Sequence, residues 1–354
     1  MGKIFFSMSG EGRGHATRVR SMVEALRHRH EITLLCPGDA FELLAPIYRN
    51  TNVRITRIPG LRFSYKPNKK LDFIATARGA IAFIFKLPKR VRKMARLLQR
   101  EQPNVIVTDF EPLLPRAAKR CGIPFLSVNH QHFLIVNDLS QLNWKLRFSA
   151  WYMSLVVRVY YWGQAQTVIS QFYFPPVRPE FKGKVTMAGV LMRPEILAAK
   201  PKIGDFLLVY LRKFASPELL QTLQTCGKPV RIYGLGEKPA EGQIEYCQIN
   251  DHQFQHDLSN CLALITTAGN QLVGEALYLR KPVLAMPEAN NHEQYINAYY
   301  LQQSGGGMWC ELDSLTPTVL EKFLQNVPRY RAQIDPDRMN GNDIVVRAIE
   351  EYAG

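Results

Sequence analysis

The chain has 354 residues, with 45 Lys+Arg against 30 Asp+Glu and a formal net charge of +15. Residues 1–200 hold 32 basic and 12 acidic side chains, and residues 201–354 hold 13 and 18, so a +20 half is joined to a −5 half. Hydrophobic residues at 46% exclude a disordered chain, and the absence of an 18-residue apolar run argues against a membrane-spanning helix.

In chain order, 3–8 (KIFFSM) reads as a strand and 15–29 as a helix, followed by strands at 31–35 and 53–58. A helix is expected over 71–102, a strand over 104–109 (NVIVTD), a helix over 116–121 and a strand over 124–128. A long aromatic helix over 141–163 precedes a strand at 167–170. The Pro- and Lys-bearing stretch 192–205 suits a linker. A second series follows, with strands at 206–211, 230–233, 244–248, 263–266 and 283–286. Helices fall at 216–226, 252–260, 270–279, 292–303, 317–325 and 341–353. Repeated strand-then-helix order implies parallel strands covered on both faces. The expected fold is α/β: two tandem Rossmann-like, doubly wound domains facing a cleft. Residues 1–195 form the first domain and 203–340 the second, with a helix at 341–354 that crosses back to the first. Ligands of such sheets bind beyond the carboxyl ends of the strands, which places the site in the cleft.

Two segments carry the chemistry. After the first strand runs Ser9-Gly10-Glu11-Gly12-Arg13-Gly14-His15, then a helix. Glycines let the backbone approach a ligand, and a helix N-terminus offers free N–H groups to an anion. The pattern is neither G-x-G-x-x-G nor a P-loop, and no acid ends the second strand, so a nicotinamide cofactor is disfavoured. A plain strand–helix turn remains the simpler alternative. His15 in the first helical turn is a candidate general base. The second segment is 265–307. Gly269 and Asn270 open a helix whose N-terminus suits a diphosphate, and Glu275 on that helix suits a vicinal diol. Glu293 and Gln294 open the next helix, and Gly305–Gly307 reads as a closing turn.

This segment resembles the donor-binding region of GT-B glycosyltransferases. It is similar to family 28, which includes the peptidoglycan lipid-linked GlcNAc transferases and the diacylglycerol glycosyltransferases. The S-G-E-G-R-G-H loop resembles the Gly-rich loop of the same enzymes. The likeness covers most of the chain except residues 60–100. It implies a hexosyltransferase that uses a nucleotide-diphosphate sugar, a UDP-sugar by preference, as substrate, with no cofactor and no metal. It implies Glu275 on the ribose, Glu293 and Gln294 on the sugar, and Gly269, Asn270 and Gln271 on the diphosphate. Gly12 and Gly14 of the loop would also face the donor. Ile249, Asn250 and Phe254 would hold the base, partly through main chain. His15 would be the catalytic base, paired with Asp109. The family's Gly-Gly-Ser loop is absent; Arg212 or Lys213 would replace its phosphate contacts, unless they are a solvated pair. Thr267 stands where eukaryotic relatives often carry His.

Other features stay open between two readings. His130 and His132 either contact the acceptor or form a hydrogen-bonded loop pair, and Glu111 either acts or caps a helix. Core packing is favoured for the aromatic helix with Trp144, Trp151, Tyr152, Tyr160, Tyr161 and Trp162, over a role facing acceptor or membrane. Residues 62–100 hold 12 Lys+Arg and one acid, Asp72, interleaved with Phe and Ile. Such a segment suits an anionic membrane surface, at roughly 1 kcal/mol per basic residue, or an ordinary solvated helix. Nucleic acid is not expected, since no reading module is visible. The six cysteines, Cys36, Cys121, Cys226, Cys247, Cys261 and Cys310, form no C-x-x-C pair, and no signal peptide is evident. The expected location is cytoplasmic, peripheral on the inner face of the cell membrane, and the expected partners are a nucleotide sugar and a lipid-linked or polyanionic acceptor. The competing functions are a nucleotide-sugar 2-epimerase and a non-catalytic nucleotide-sugar or lipid-binding protein.

Overall fold

The computed structural model describes the chain except residues 11–12, 61–72, 161–162 and 212–214. The first sheet is built from seven parallel strands: β1 (Lys3–Met8), β2 (Glu31–Cys36), β3 (Arg54–Arg57), β4 (Val105–Asp109), β5 (Phe125–Asn129), β6 (Gln166–Ser170) and β7 (Val185–Ala188). Their order across the sheet is β3-β2-β1-β4-β5-β6-β7. The second sheet holds β8 (Leu207–Tyr210), β9 (Val230–Tyr233), β10 (Lys238–Glu241), β11 (Ile244–Cys247), β12 (Ala263–Thr266), β13 (Val283–Ala285) and β14 (Gly307–Trp309), in the order β10-β11-β9-β8-β12-β13-β14. Among the described residues of this sheet only β10, an edge strand, runs antiparallel. The inner strands are short runs of Val, Ile, Leu and Phe buried on both faces, as parallel sheets demand.

In each sheet the winding direction reverses once, between β1 and β4 and between β8 and β12. At a reversal the following loops part to opposite faces and leave a crevice. These two crevices position the site.

On one face of the first sheet lie α1 (Arg13–Leu26) and α2 (Gly38–Tyr48). On the other lie α3 (Phe73–Glu101) and α4 (Leu113–Cys121). The short α5 (Phe133–Val136) and α6 (Trp144–Val157) follow β5, and α7 (Pro194–Leu197) begins the passage to the second sheet. That sheet is wrapped by α8 (Pro217–Gln224), α9 (Asp251–Asn260), α10 (Asn270–Tyr278), α11 (His292–Gln303) and α12 (Pro317–Gln333). The last helix, α13 (Asn342–Ala353), packs on α1 and the first sheet through Val345, Ala348 and Ile349. Two chain passages therefore join the sheets, and they touch. Val190 pairs with Asn340, and Asn342 exchanges two hydrogen bonds with the Met192 backbone, at 2.7 and 2.9 Å. A Cβ on Gly341 would sit 2.1 Å from the Gly189 carbonyl oxygen, so only glycine allows this approach. One hydrophobic core runs across the junction, from Phe133 and Tyr173 to Leu208, Leu264 and Ile296.

The predicted α/β class holds, and the local differences have physical causes. Helix α2 goes unread in the sequence because Pro46 lies inside it and it opens at Pro37-Gly38, a turn-like pair. Strands β7, β10 and β14 are only three or four residues long, too short to show alternation. The stretch read as a closing turn leads into β14, where the Val283 amide donates to the Gly306 carbonyl at 3.1 Å and sets Gly307 beside Val283 in the sheet. The core reading of the aromatic helix is wrong for Trp144, Trp151 and Tyr152, which are exposed. Helix α6 instead packs through the small residues Ala150, Ser154 and Val157. Tyr160 is partly buried, while Tyr161 and Trp162 lie outside the described residues.

Candidate active site

The first crevice opens between the ends of β1 and β4. Register sets Met8 beside Asp109, and the Ser9 amide donates to the Asp109 carbonyl at 2.9 Å. Seven residues past Met8, the start of α1 brings His15 back over β4. His15 Nδ1 lies 2.9 Å from Asp109 Oδ1. Arg18, one turn further along α1, donates to both Asp109 oxygens at 2.8 and 2.9 Å. Asp109 is fully buried, so the guanidinium and the imidazole together satisfy a charge that would otherwise be very costly. With the carboxylate accepting at Nδ1, the ring carries its proton there and leaves Nε2 as a proton acceptor.

Phe110 follows with φ +55°, a left-handed conformation rare for a bulky residue. It holds the Phe110 ring parallel to His15 at 6.4 Å and stacked on Tyr160 at 4.1 Å. Glu111 accepts from the amides of Leu113 and Leu114 at 2.7 and 2.8 Å, so it caps the start of α4. Burial pushes its carboxyl up to about 7 even though those amides pull it down.

After β5, His130 stacks on Phe133 at 4.8 Å and meets Tyr173 edge-on. Its Nε2 is 3.8 Å from Glu293 Oε1 across the cleft. Burial, then the charge of Arg18, pushes His130 down to about 3, so it is neutral at physiological pH. His132 points into its own loop. Its Nδ1 lies 3.2 Å from Ser127 Oγ and 3.1 Å from Asn129 Nδ2, and its amide donates to Asn129 Oδ1. Burial likewise pushes it down to about 3. Of the two histidines, only His130 faces the other domain.

The second crevice is floored by the start of α10. Ala268 takes φ +63°, fixed by Asn297 donating to its carbonyl at 2.9 Å. A Cβ on Gly269 would meet nothing within 4 Å, and the same holds for Gly14 across the cleft, so ligand atoms can approach both backbones. Asn270 Nδ2 donates to the Ser170 carbonyl at 3.1 Å, tying α10 to the end of β6. Gln271 Nε2 donates to the Leu191 carbonyl and to Glu275 Oε1, each at 2.9 Å.

Several expected ligand contacts are engaged elsewhere. The Glu275 carboxylate is buried and forked by Arg193, Nε to Oε1 at 3.0 Å and Nη2 to Oε2 at 2.7 Å, so no open diol site is present. Asn250 Oδ1 caps α9 by accepting from the His252 and Gln253 amides. Phe254 packs edge-on against Tyr233 and Tyr210, inside the domain. Gln294 Oε1 accepts the Glu288 amide at 2.7 Å and shapes the loop before α11. Ile249 is partly exposed, and the Glu293 side chain is about one-third exposed. Gly12 and Arg212 lie outside the described residues. Sequence reasoning missed Arg18 and Arg193. Arg18 had a readable signal, its i+3 spacing from His15 on one helix face. Arg193 had none, because its partner lies 82 residues away in the other domain.

Two doubly wound domains with a charged crevice facing a helix start define the GT-B architecture, and comparisons with known proteins agree. The family model described as "Glycosyl transferase family 1" matches residues 2–328. UGT2 of Phytolacca americana, complexed with UDP-2fluoro-glucose and pterostilbene, superposes with a TM-score of 0.72 at 14% identity, covering 99% of this chain and all of that one. The calicheamicin glycosyltransferase CalG4 gives 0.67 at 17%, covering 99% and 98%, and MurG of Acinetobacter baumannii gives 0.66 at 16%, covering 99% and 100%. No curated protein matches in a direct sequence comparison. The chain belongs to glycosyl transferase family 1, and it is a glycosyltransferase with the GT-B fold. The resemblance read from the sequence is borne out at this level.

Proposed function

We propose that the chain transfers a hexosyl group from a UDP-sugar to a hydroxyl of a lipid-linked or polyanionic acceptor, with His15 as base. The observation that carries this reading is the 2.9 Å contact between His15 Nδ1 and the buried carboxylate of Asp109. In the proposed reaction His15 Nε2 takes the acceptor hydroxyl proton as the oxygen bonds to the sugar's anomeric carbon. The bond from that carbon to the phosphate breaks, and the nucleoside diphosphate leaves with its electron pair. Asp109 stabilises the imidazolium that forms, and Arg18 keeps the carboxylate in place. Main-chain N–H groups at the start of α10 face the departing charge. The open backbone at Gly269 and Gly14 supports a diphosphate lying between the domains. The choice of uridine rests on UGT2 and on the UGT89C1 of Arabidopsis thaliana, solved with UDP-2fluoro-glucose and with UDP-L-rhamnose.

For Glu275 to hold a ribose, the nucleotide must displace Arg193, and we propose that this exchange accompanies donor binding. For the acceptor side, α3 supports an anionic membrane. Among the described residues no helix is long and apolar enough to cross a bilayer. The exposed Ile81, Ile84 and Phe85 of α3 stand among Lys86, Lys89, Arg90 and Arg92, while Met94, Ala95 and Leu98 anchor its other half on the sheet. The test is turnover with a set of UDP-sugars and a lipid-phosphate acceptor. His15→Ala should lower transfer by about 10²–10⁴-fold while leaving UDP-induced thermal stabilisation intact. Unchanged turnover in that variant would remove His15 from the mechanism.

A further inference from the structure

Helix α6 presents two adjoining stripes that the cleft does not use. Along one run the exposed Trp144, Phe148, Trp151, Tyr152 and Leu155, with Trp144 73%, Phe148 63% and Trp151 57% exposed. Solitary exposed apolar residues need no explanation, but a continuous aromatic stripe along one helix does. The other stripe is Arg147, Trp151, Ser154 and Arg158, at the i, i+4, i+7, i+11 spacing of one helical face. It lines a cavity of ≈ 460 Å³ together with Arg178.

The charge of this cavity is unbalanced. Between Asp138 and Glu180 the sequence has Lys145, Arg147, Arg158 and Arg178 and no acid. Those two flanking acids also line the cavity, leaving three guanidinium groups against two carboxylates. Asp138 is already occupied in part by the Ser140 amide at 2.9 Å. Among the described residues, Arg147, Arg158 and Arg178 close no hydrogen-bonded ion pair; the Asp138 carboxyl is lowered first by the Ser140 amide and then, through space, by the charges of Arg178 and Arg147, and Arg178 gives its Nε to the Asn137 carbonyl at 2.9 Å. Arginine forks not closed on a carboxylate, in a cavity with one guanidinium in excess, suit phosphate oxygens. Trp and Tyr beside them suit the boundary between headgroups and acyl chains.

We propose that α6 docks on a bilayer containing anionic phospholipid, with the aromatic stripe in the interface and a lipid phosphate held between Arg147, Arg158 and Arg178. The assignment is independent of the donor and base readings and shares with the acceptor-side reading only the bilayer as partner. Its placement is apt. Tyr299 of α11 donates to the Gln141 carbonyl just before α6 at 2.9 Å, and Arg116 of α4 donates to the Val159 carbonyl just after it, also at 2.9 Å. The helix therefore sits beside the mouth of the cleft and is tied to the layer that carries α3.

Flotation of the full chain with vesicles of phosphatidylcholine alone, and of equal parts phosphatidylcholine and phosphatidylglycerol, tests this. The wild type should bind the mixed vesicles at least about tenfold better, with a blue shift of tryptophan emission. The triple variant Trp144→Ser, Phe148→Ser, Trp151→Ser, all at exposed positions, should lose that binding with an unchanged melting temperature. Arg147→Gln with Arg158→Gln should lose about fivefold per arginine on mixed vesicles only. Full binding by both α6 variants, with loss in Ile84→Ser with Phe85→Ser, sinks the α6 assignment and leaves α3 as the membrane contact. A wild type that ignores both vesicles overturns it too. If that protein is a dimer split by the triple variant, the covering partner is a second copy of this chain.

Discussion

The two crevices have the same origin, a reversal of winding at the centre of a parallel sheet, yet they are furnished in opposite ways. The first concentrates charge: a buried aspartate, an arginine whose Nη1 reaches both its oxygens, and a histidine, all within hydrogen-bonding distance. The second offers a nearly neutral surface of backbone and amides, and its one buried carboxylate is neutralised by Arg193 from the neighbouring domain. In the proposed reaction a proton is moved at a fixed position, which calls for an acceptor oriented by strong, directional bonds. The polyanionic leaving group of the same proposal calls for N–H donors and no competing charge. The contrast teaches that topology supplies the place and side-chain chemistry divides the labour.

Variants can break this contrast, starting with the largest effect. His15→Ala should lower turnover by about 10²–10⁴-fold, the usual worth of a general base, with little change in nucleotide affinity; steady-state rates and thermal shifts with UDP separate the two. Asp109→Asn should come close to that loss and also destabilise the fold, because Arg18 then stays buried without a counter-charge. Breaking one partner of a buried pair costs about 3–5 kcal/mol, which urea unfolding would register. Glu275→Ala acts on the opposite crevice. It should cost a similar 3–5 kcal/mol by stranding Arg193. It should also weaken donor binding, whereas Asp109→Asn should not.

A smaller effect is set by pH. Burial depresses His130 to about 3, from an unfolded value near 6.5. The folded state therefore refuses a proton that the unfolded chain accepts, and the stability from the neutral ring is fully present above pH 6.5 and lost as pH falls below it. Between pH 6.5 and 5 that loss is about 2 kcal/mol, and His130→Asn should remove it from the difference between unfolding curves at those two values. The smallest effect belongs to Asn250→Ala, a lost helix cap worth about 1 kcal/mol. If nucleotide affinity fell further than this stability change explains, the Asn250 side chain would be a ligand contact after all.

Much of this was legible in the sequence because short apolar runs and helical periods are local signals. His15 could be read as a candidate base in the first turn after β1, while its pairing with Asp109 at the end of β4 came from the resemblance to GT-B enzymes. What stayed hidden depends on partners far along the chain. Nothing near Arg193 announces Glu275, and nothing near Asn297 announces the Ala268 carbonyl. Asn250, Phe254 and Gln294 occupy the right segment, but their side chains brace the loops from within. The aromatic face of α6 misled for a related reason. Aromatic content signals burial on average, while the helix packs through the small residues between its rings.

The crossing of the two chain passages at Gly189 and Gly341 has a mechanical consequence. A Cβ at Gly189 would meet the Met339 carbonyl oxygen at 2.4 Å, and one at Gly341 would meet the Gly189 carbonyl oxygen at 2.1 Å, so each passage is shaped to the other like two halves of a mortised joint. Bulk added at either glycine would wedge the passages apart beneath the core that both sheets share, far along the chain from His15 and Asp109.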